Sequence, residues 1–151
     1  MNELIGKGDQ NEVVVSFGST IHFLDLIQQM SLGVTRLAGF DDDASYWIGL
    51  SVRESVTNAI RHGNQLDKTK KVGVRFNIAS DGLFIVVSDQ GNGFDESCLP
   101  DPLDANNLLK PSGRGIFYIR TFMDEVTFHN LPEGGFEVRM GKRLNHTKLG
   151  D

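Results

Sequence analysis

Residues 54–63 of the 151-residue chain read ESVTNAIRHG, and the other informative segments are interpreted by their relation to this stretch. It lies inside a helical pattern, where side chains four residues apart share one face. Glu54 and Asn58 therefore project side by side, with Arg61 and His62 one turn further along. A carboxylate beside a carboxamide oxygen can serve a hard cation and activate a hydroxyl group. Such a pair is common on solvated helices, so its interpretation depends on the segments that follow.

The composition is that of a single globular domain, with 39% hydrophobic and 23% charged residues. A net charge of −5 and a pI near 5.3 argue against a nucleic-acid binder, which usually carries a basic patch. The single cysteine, Cys98, excludes an intrachain disulfide. Because the N-terminus is polar and no apolar run approaches the length of a membrane span, we expect a cytoplasmic protein without membrane contact.

Upstream of residue 54 the pattern predicts one strand and two helices. The β-branched run at 13–17 reads as a strand, and Ser19 or Thr20 can cap a helix that ends at Gly39. The next helix begins with three aspartates at 41–43 and ends at Gly63. The apolar positions expected to face the core are Phe23, Leu26, Ile27, Met30, Val34 and Leu37 in the first helix, and Ala44, Trp47, Ile48, Val52, Val56, Ala59 and Ile60 in the second.

Downstream the pattern predicts a hairpin, a long loop, a helix and a second hairpin. Residues 71–78 alternate polar and apolar, Asp81-Gly82 reads as a two-residue turn, and 83–87 read as a central strand. Residues 94–112 lack periodicity, and long loops in compact domains are often functional lids. The helix that opens at Gly113 has Ile116, Ile119, Phe122 and Met123 as its apolar positions, and it precedes strands at 125–130 and 136–140 joined by 132–135.

This order of elements predicts an α+β fold: a two-layer sandwich with a mixed, mainly antiparallel sheet and three helices on one face. We expect a flexible N-terminus at 1–11, one domain at 12–144 and a polar tail at 145–151.

Two glycine-containing segments complement the helix at 54–63. Residues 89–93 read DQGNG at the exit of a buried strand, where glycines let the backbone approach a flat ligand and the carboxylate can accept a hydrogen bond from an amine. Residues 113–116 read GRGI at the start of a helix, where free N–H groups bind phosphate. A purine pocket, a lid and a phosphate-binding helix start would thus be contiguous in the sequence.

These motifs resemble the N, G1 and G2 boxes of the GHKL superfamily of ATPases, which includes gyrase, histidine kinases and MutL. The boxes are Glu54-x-x-x-Asn58-Ala59, Asp89-x-Gly91-x-Gly93 and Gly113-x-Gly115, and all three in this order are specific. Residues 54–63, 112–116 and 122–126 further resemble the anti-sigma serine kinases of partner-switching systems. The likeness runs from about Val13 to Leu144 and implies the Bergerat ATP-binding fold and a histidine-kinase-like ATPase domain at 12–144.

The resemblance implies a role for each box in binding ATP and Mg²⁺. Asn58 would coordinate Mg²⁺ on the ATP phosphates, Asp89 would read the adenine amine, and Glu54 would act as general base. The other nucleotide-binding residues implied are Arg61, His62, Gly91, Gly93, Gly113, Arg114, Gly115 and Ile116. A cation at the helix C-terminus is an equally good interpretation of His62. Gln90 and Asn92 read as spacers, Lys110 as a solvated loop residue, and Cys98 as incidental.

The resemblance also implies a function, serine/threonine-protein kinase activity in transcription regulation. The partners would be an anti-sigma antagonist of the STAS type and a sigma factor or other output protein, with homodimerisation as a family expectation. Because a serine hydroxyl or a water benefits from a base, Glu54 favours these acceptors over histidine. The alternatives are a non-catalytic ATP-binding partner-switch module, and an ATPase or histidine-kinase-like fragment.

Overall fold

A computed structural model describes residues 11–93 and 111–144, and the side chains from residue 115 onward in the second range. The elements in chain order are β1 (Glu12–Gly18), a 3₁₀ turn (Ile21–Phe23), α1 (Leu24–Ala38), α2 (Asp42–Asn58), a π-helical turn (Ala59–Gly63), β2 (Lys71–Ala79), β3 (Gly82–Ser88), α3 (Pro111–Phe122), β4 (Glu125–Asn130) and β5 (Phe136–Arg143). The expected lid at 94–112 falls almost wholly on residues outside the described ranges, as do the N-terminus at 1–10 and the tail at 145–151.

The five described strands form one sheet in the order β1-β2-β3-β5-β4, with β3 in the centre as predicted. Each neighbouring pair is antiparallel, so the sheet is antiparallel throughout these strands and not mixed. The helices contribute one layer and the sheet the other, which confirms the α+β class. The core lies between the layers, where Val52 and Val56 of α2 and Ile60 of the π-helical turn are fully buried. Each such side chain contributes about 1.5–3 kcal/mol of burial free energy.

The helix boundaries follow local capping chemistry. Thr20 Oγ1 accepts a hydrogen bond from the His22 backbone N–H at the start of the 3₁₀ turn. Gly39 closes α1 in the left-handed region at φ 100°, which glycine adopts without strain. Asp41 Oδ1 accepts from the Ala44 N–H at 2.8 Å and caps α2. These three boundaries were predicted from the sequence.

The buried face predicted for α1 from its apolar periodicity was wrong at two positions. Leu26 and Leu37 are 53% and 79% exposed, whereas Ser31 and Thr35 are fully buried. The two hydroxyl groups are accommodated because they donate back to their own helix, from Ser31 Oγ to Ile27 O at 2.7 Å and from Thr35 Oγ1 to Leu32 O at 2.9 Å.

Four further expectations need correction. Trp47 is 37% exposed and stacks on Phe122 with ring centroids 4.1 Å apart, instead of entering the core. The first hairpin pairs Ala79 with Gly82, so Ser80 and Asp81 form its turn. Gly82 is buried in β3, where a Cβ would overlap the Lys142 carbonyl oxygen. In addition, α3 begins two residues earlier than predicted and β5 extends three residues further.

Within residues 11–93 and 111–144, no helix is both long enough and apolar enough to span a membrane.

Candidate nucleotide-binding site

Helix α2 presents Glu54 and Asn58 on a half-buried face, adjacent along the helix as their spacing predicts. Neighbouring polar residues satisfy their side chains internally; Thr57 Oγ1, for example, donates to Arg53 O at 2.7 Å. In the part of the chain that the structure describes, neither Glu54 nor Asn58 has a side-chain hydrogen bond. Their oxygen atoms are therefore free to serve a ligand.

Helix α3 brings its glycine against this pair. A Cβ on Gly115 would lie 3.0 Å from Glu54 Oε2 and 3.5 Å from Asn58 Nδ2. A contact of 3.0 Å is tighter than most real Cβ contacts, so the absence of a side chain at Gly115 allows the Glu54 carboxylate to keep its present position, whereas 3.5 Å to Asn58 is an ordinary contact. The structure thus brings the first and third sequence motifs together, with Gly115 and Ile116 both buried.

The polypeptide leaves α2 through a π-helical turn that follows Asn58 directly. The Asn64 N–H donates to Ala59 O at 2.8 Å, and the Leu66 N–H donates to Ile60 O at 2.8 Å. Gln65 and Leu66 then adopt positive φ values of 53° and 60°. Both π-turns and left-handed non-glycine residues are uncommon and concentrate at functional sites. The helix therefore reaches Gly63 as predicted, but with a widened last turn.

The π-helical turn places Gly63 on the carboxylate of Asp89. A Cβ on Gly63 would overlap Asp89 Oδ2, and a Cβ on Gly91 would overlap the Gly63 carbonyl oxygen. Gly93 has a φ of +80°, and a Cβ there would crowd Asn130. The first and second motifs are thus in direct contact, and glycine at these positions is what permits that contact.

Asp89 is 5% exposed at the end of β3. Its Oδ1 accepts the Gly91 N–H at 2.9 Å, and its own N–H donates to Phe136 O at 2.9 Å. Burial raises the pKa of the Asp89 carboxyl, and backbone hydrogen bonds at Gly91 and Phe136 oppose this shift. A buried carboxylate held in one orientation by backbone groups is suited to accept a hydrogen bond from an amine.

The electrostatics of Glu54 suit a general base. Partial burial raises the pKa of its carboxyl, and the neighbouring Arg53 cation opposes that shift. Arg53 itself turns towards α1, where its Nη1 lies 2.6 Å from Asp25 Oδ1 and 2.9 Å from Gln28 Oε1. Glu54 is therefore not engaged in an ion pair with Arg53, and its carboxylate can take up a proton.

The residues present fit an adenine nucleotide with one Mg²⁺. The Asn58 side-chain oxygen is a hard ligand of the kind that Mg²⁺ prefers, and it lies with the Glu54 carboxylate beside Gly115, which has no side chain to fill the space. The Asp89 carboxylate lies at the other end of the π-helical turn, next to two more glycines. Phosphates at one end and an amine-bearing base at the other match these two sets of groups.

The remaining expected site residues have a weaker structural basis. Arg61 and His62 are exposed on the π-helical turn, with no ion pair to any residue in the described ranges. Gly113 and Arg114 belong to α3 by their backbone, and their side-chain surroundings fall outside the described part, as do Cys98 and Lys110. Asn92 is exposed.

Two polar residues in this region were missed by the sequence interpretation. Asn64 is 1% exposed and hydrogen-bonds to three different segments of the chain. Gln90 is not a mere spacer, because its Oε1 accepts the Lys71 N–H at 2.7 Å. The available sequence signal was an asparagine directly after the last helical glycine, which reads as a helix terminus and does not reveal distant partners.

Comparison with known proteins gives consistent matches over most of the chain. The family described as "Histidine kinase-like ATPase domain" matches residues 24–142. The serine-protein kinase RsbW of Bacillus licheniformis is 32% identical over 135 residues, which cover 85% of this chain and 83% of that protein. RsbW of Bacillus subtilis is 31% identical over 149 residues, covering 95% and 92%. RsbW of Staphylococcus epidermidis is 31% identical over 152 residues, covering 95% and 93%.

Solved structures match at lower sequence identity and show the fold. The RsbU and RsbW domains of a Mycobacterium tuberculosis protein superimpose with a TM-score of 0.64 at 17% identity, covering 88% of this chain and 32% of that chain. The catalytic domain of histidine kinase ThkA superimposes with a TM-score of 0.55 at 12% identity, covering 87% and 97%. The expected Bergerat fold is confirmed.

Proposed function

The chain belongs to the histidine kinase-like ATPase domain family, among the RsbW serine-protein kinases, and from this premise we propose that it transfers the γ-phosphoryl group of ATP to a protein hydroxyl. The acceptor is a serine or threonine of an anti-sigma antagonist, and in its other state the protein sequesters a sigma factor or another output protein. The observation that carries the proposal is the placement of Glu54 beside Asn58 and against Gly115.

Glu54 is the general base in this proposal. Phosphoryl transfer depends mostly on positioning and charge neutralisation, with one group to orient the incoming hydroxyl. The Glu54 carboxylate is half-buried, free of hydrogen bonds within the described ranges, and close to α3 at Gly115. Partial burial raises its pKa, which favours acceptance of the hydroxyl proton at Oε1 or Oε2.

Asn58 holds the metal ion in this proposal. When bound, Mg²⁺ supplies neutralisation of the phosphate charge. The Asn58 side-chain oxygen is the protein ligand, which agrees with the preference of Mg²⁺ for few protein oxygens and several from phosphate and water. The free backbone N–H groups in the first turn of α3, those of Ser112, Gly113 and Arg114, bind phosphate oxygens because helix N-termini favour anions. Arg61, His62 and Arg114 are candidates for further phosphate contacts.

Asp89 recognises adenine in this proposal. Its buried carboxylate accepts a hydrogen bond from the exocyclic amine, and Gly91 and Gly93 let the base lie close to the backbone. A guanine or hypoxanthine ring carries a carbonyl oxygen at that position, which would face a carboxylate. Adenine specificity therefore follows from the charge of Asp89.

A labelled-phosphate assay tests the proposal. The protein is incubated with γ-labelled ATP, Mg²⁺ and the candidate antagonist protein, and Glu54→Gln is compared with the wild type and with the control Glu125→Gln. Glu125 lies on β4, where it pairs with Arg143 at 3.1 Å. We expect label on the antagonist with wild type and Glu125→Gln, and a loss of at least about a hundredfold with Glu54→Gln, which still binds ATP.

The same assay separates the kinase from a binding module. If the wild type binds ATP and leaves the antagonist unlabelled, phosphoryl transfer is wrong and ATP only tunes the choice of partner. Label released as inorganic phosphate, without an acceptor, would support an ATPase. We propose a cytoplasmic location, since a sigma factor acts there, and homodimerisation, which light scattering on the purified protein tests.

A further inference from the structure

The side chain of Asn64 joins three segments of the chain at one buried point. Its Nδ2 donates to Ser19 Oγ at 2.7 Å and to Lys71 O at 3.0 Å, and its Oδ1 accepts the Gln90 N–H at 2.7 Å. The Ser19 hydroxyl in turn donates a hydrogen bond to Lys70 O at 2.7 Å. Asn64 and Ser19 are each 1% exposed, so water does not compete for these bonds.

The partners allow the amide of Asn64 one orientation. The Lys71 carbonyl can only accept and the Gln90 N–H can only donate, so Nδ2 must face Lys71 and Oδ1 must face Gln90. No other standard side chain of this length offers two donors and an acceptor in this arrangement. An aspartate would direct a carboxylate oxygen at the Lys71 carbonyl.

Two segments next to Asp89, the loop at Gln90 and the π-helical turn at Gly63, are both attached to Asn64. Gln90, which Asn64 holds, directly follows Asp89 and precedes Gly91. Gly63, which directly precedes Asn64, lies against the Asp89 carboxylate and supplies the carbonyl that contacts Gly91. The Asn64 side chain therefore sets the distance between the π-helical turn and the loop that carries Asp89.

We propose that Asn64 is a positioning residue that fixes the Asp89 carboxylate for adenine recognition, and this rests on the nucleotide site proposed above. Asn64 acts through Gln90 and Gly63 and does not touch the nucleotide. In this role Asn64 controls the discrimination between nucleotide bases. Its contribution to the stability of the fold is a separate effect, which any buried, hydrogen-bonded amide makes.

Binding of MgATP and MgITP, measured by isothermal titration calorimetry, tests this role. The hypoxanthine of ITP has a carbonyl where adenine has its amine, so the ratio of the two affinities reports on Asp89. We expect Asn64→Ala to weaken MgATP binding roughly tenfold and MgITP binding much less, because the loop loses a buried hydrogen bond that aligns the carboxylate. The ATP-to-ITP preference should fall accordingly.

Asn77→Ala is the matched control. Asn77 is also a buried asparagine, 4% exposed, and it lies on β2 six residues beyond Lys71. At roughly 3.3 Å per residue this is about 20 Å along the strand, remote from Asp89. We expect Asn77→Ala to retain the wild-type ATP-to-ITP preference.

The outcomes are distinct. If folded Asn64→Ala keeps an ATP-to-ITP preference within about twofold of the wild-type value, the role of Asn64 is overturned. Should Asn64→Ala fail to fold, Ser19→Ala decides, since it removes one acceptor of the amide: a reduced preference supports the proposal and an unchanged one overturns it. Wild-type protein that binds no MgATP would overturn the nucleotide site itself, whereas normal wild-type binding with an insensitive Asn64→Ala rejects only the positioning role.

Discussion

Glu54 and Gly115 are packed so closely that a Cβ on the glycine would lie 3.0 Å from the Glu54 carboxylate oxygen Oε2. The contact joins α2 to α3 at the point where the first and third motifs of the sequence meet. It also means that the position of the carboxylate depends on a residue 61 positions away that has no side chain.

Gly115→Ala tests that contact. The added methyl group displaces the Glu54 carboxylate, and we expect phosphoryl transfer to fall between about tenfold and a hundredfold, since misplaced catalytic groups are costly. The unfolding free energy should change little, because alanine favours the helix. Gly33→Ala in α1 is the control: a Cβ at this position meets no other atom of the described residues within 4 Å, apart from its own helix backbone, so it should stabilise the protein by about 0.5–1 kcal/mol and leave activity unchanged. Full activity in Gly115→Ala would contradict the role of the contact.

Asn58→Ala should abolish the contribution of Mg²⁺ to ATP binding. The variant lacks the proposed metal ligand, and we expect at least a tenfold (roughly 1.4 kcal/mol) loss of affinity for MgATP. Titration in the presence of EDTA provides the control, since wild type and variant should then bind metal-free ATP equally. Equal affinity of the two proteins for MgATP would exclude Asn58 as the metal ligand.

Glu54→Gln should stabilise the fold near neutral pH. The folded-state pKa of Glu54 is raised by burial, so the ionised carboxylate costs stability as pH rises through the window between its unfolded and folded pKa values. Below the unfolded value both states are protonated and this cost is absent. The gain near pH 7 should be under about 1 kcal/mol, because solvent screens a half-buried group. It should shrink as the pH falls into the acidic range.

Urea unfolding at several pH values measures this gain. Glu125→Gln is the control, because the Glu125 carboxylate is engaged by Arg143 at 3.1 Å and its loss should bring no gain. A gain for Glu54→Gln that grew towards acidic pH would have the wrong sign and would reject the assignment.

Phe122→Leu should perturb Trp47 without touching the site. The two rings stack at 4.1 Å with an interplanar angle of 13°, and such pairs contribute about 0.5–1.5 kcal/mol beyond burial. We expect a loss of about 1 kcal/mol in unfolding free energy and a shift of the emission of Trp47, the single tryptophan. Phe117→Leu, on the same helix but in contact with Tyr118, is the control and should leave Trp47 emission unchanged. An unshifted spectrum in Phe122→Leu would contradict the stacking.

Local chemistry made much of the fold predictable. The Asp41 cap, the left-handed Gly39 and the alternation in β2 each depend on a few neighbouring residues, so the elements could be located from the sequence. The exposure of Leu26 and Leu37 could not be predicted in this way. Buried hydroxyl groups that satisfy themselves within the helix take the core positions that the apolar pattern gives to leucine.

The sequence by itself determined the parts of the candidate site: a carboxylate and a carboxamide one helical turn apart, a strand followed directly by Asp89, and glycines beside both. Periodicity and spacing report these features because they are short-range properties of the backbone. Only the tertiary structure decided how the parts are held together. Asn64 has partners 45 and 26 residues away, at Ser19 and Gln90, and the path of the chain alone brings such groups within hydrogen-bonding distance.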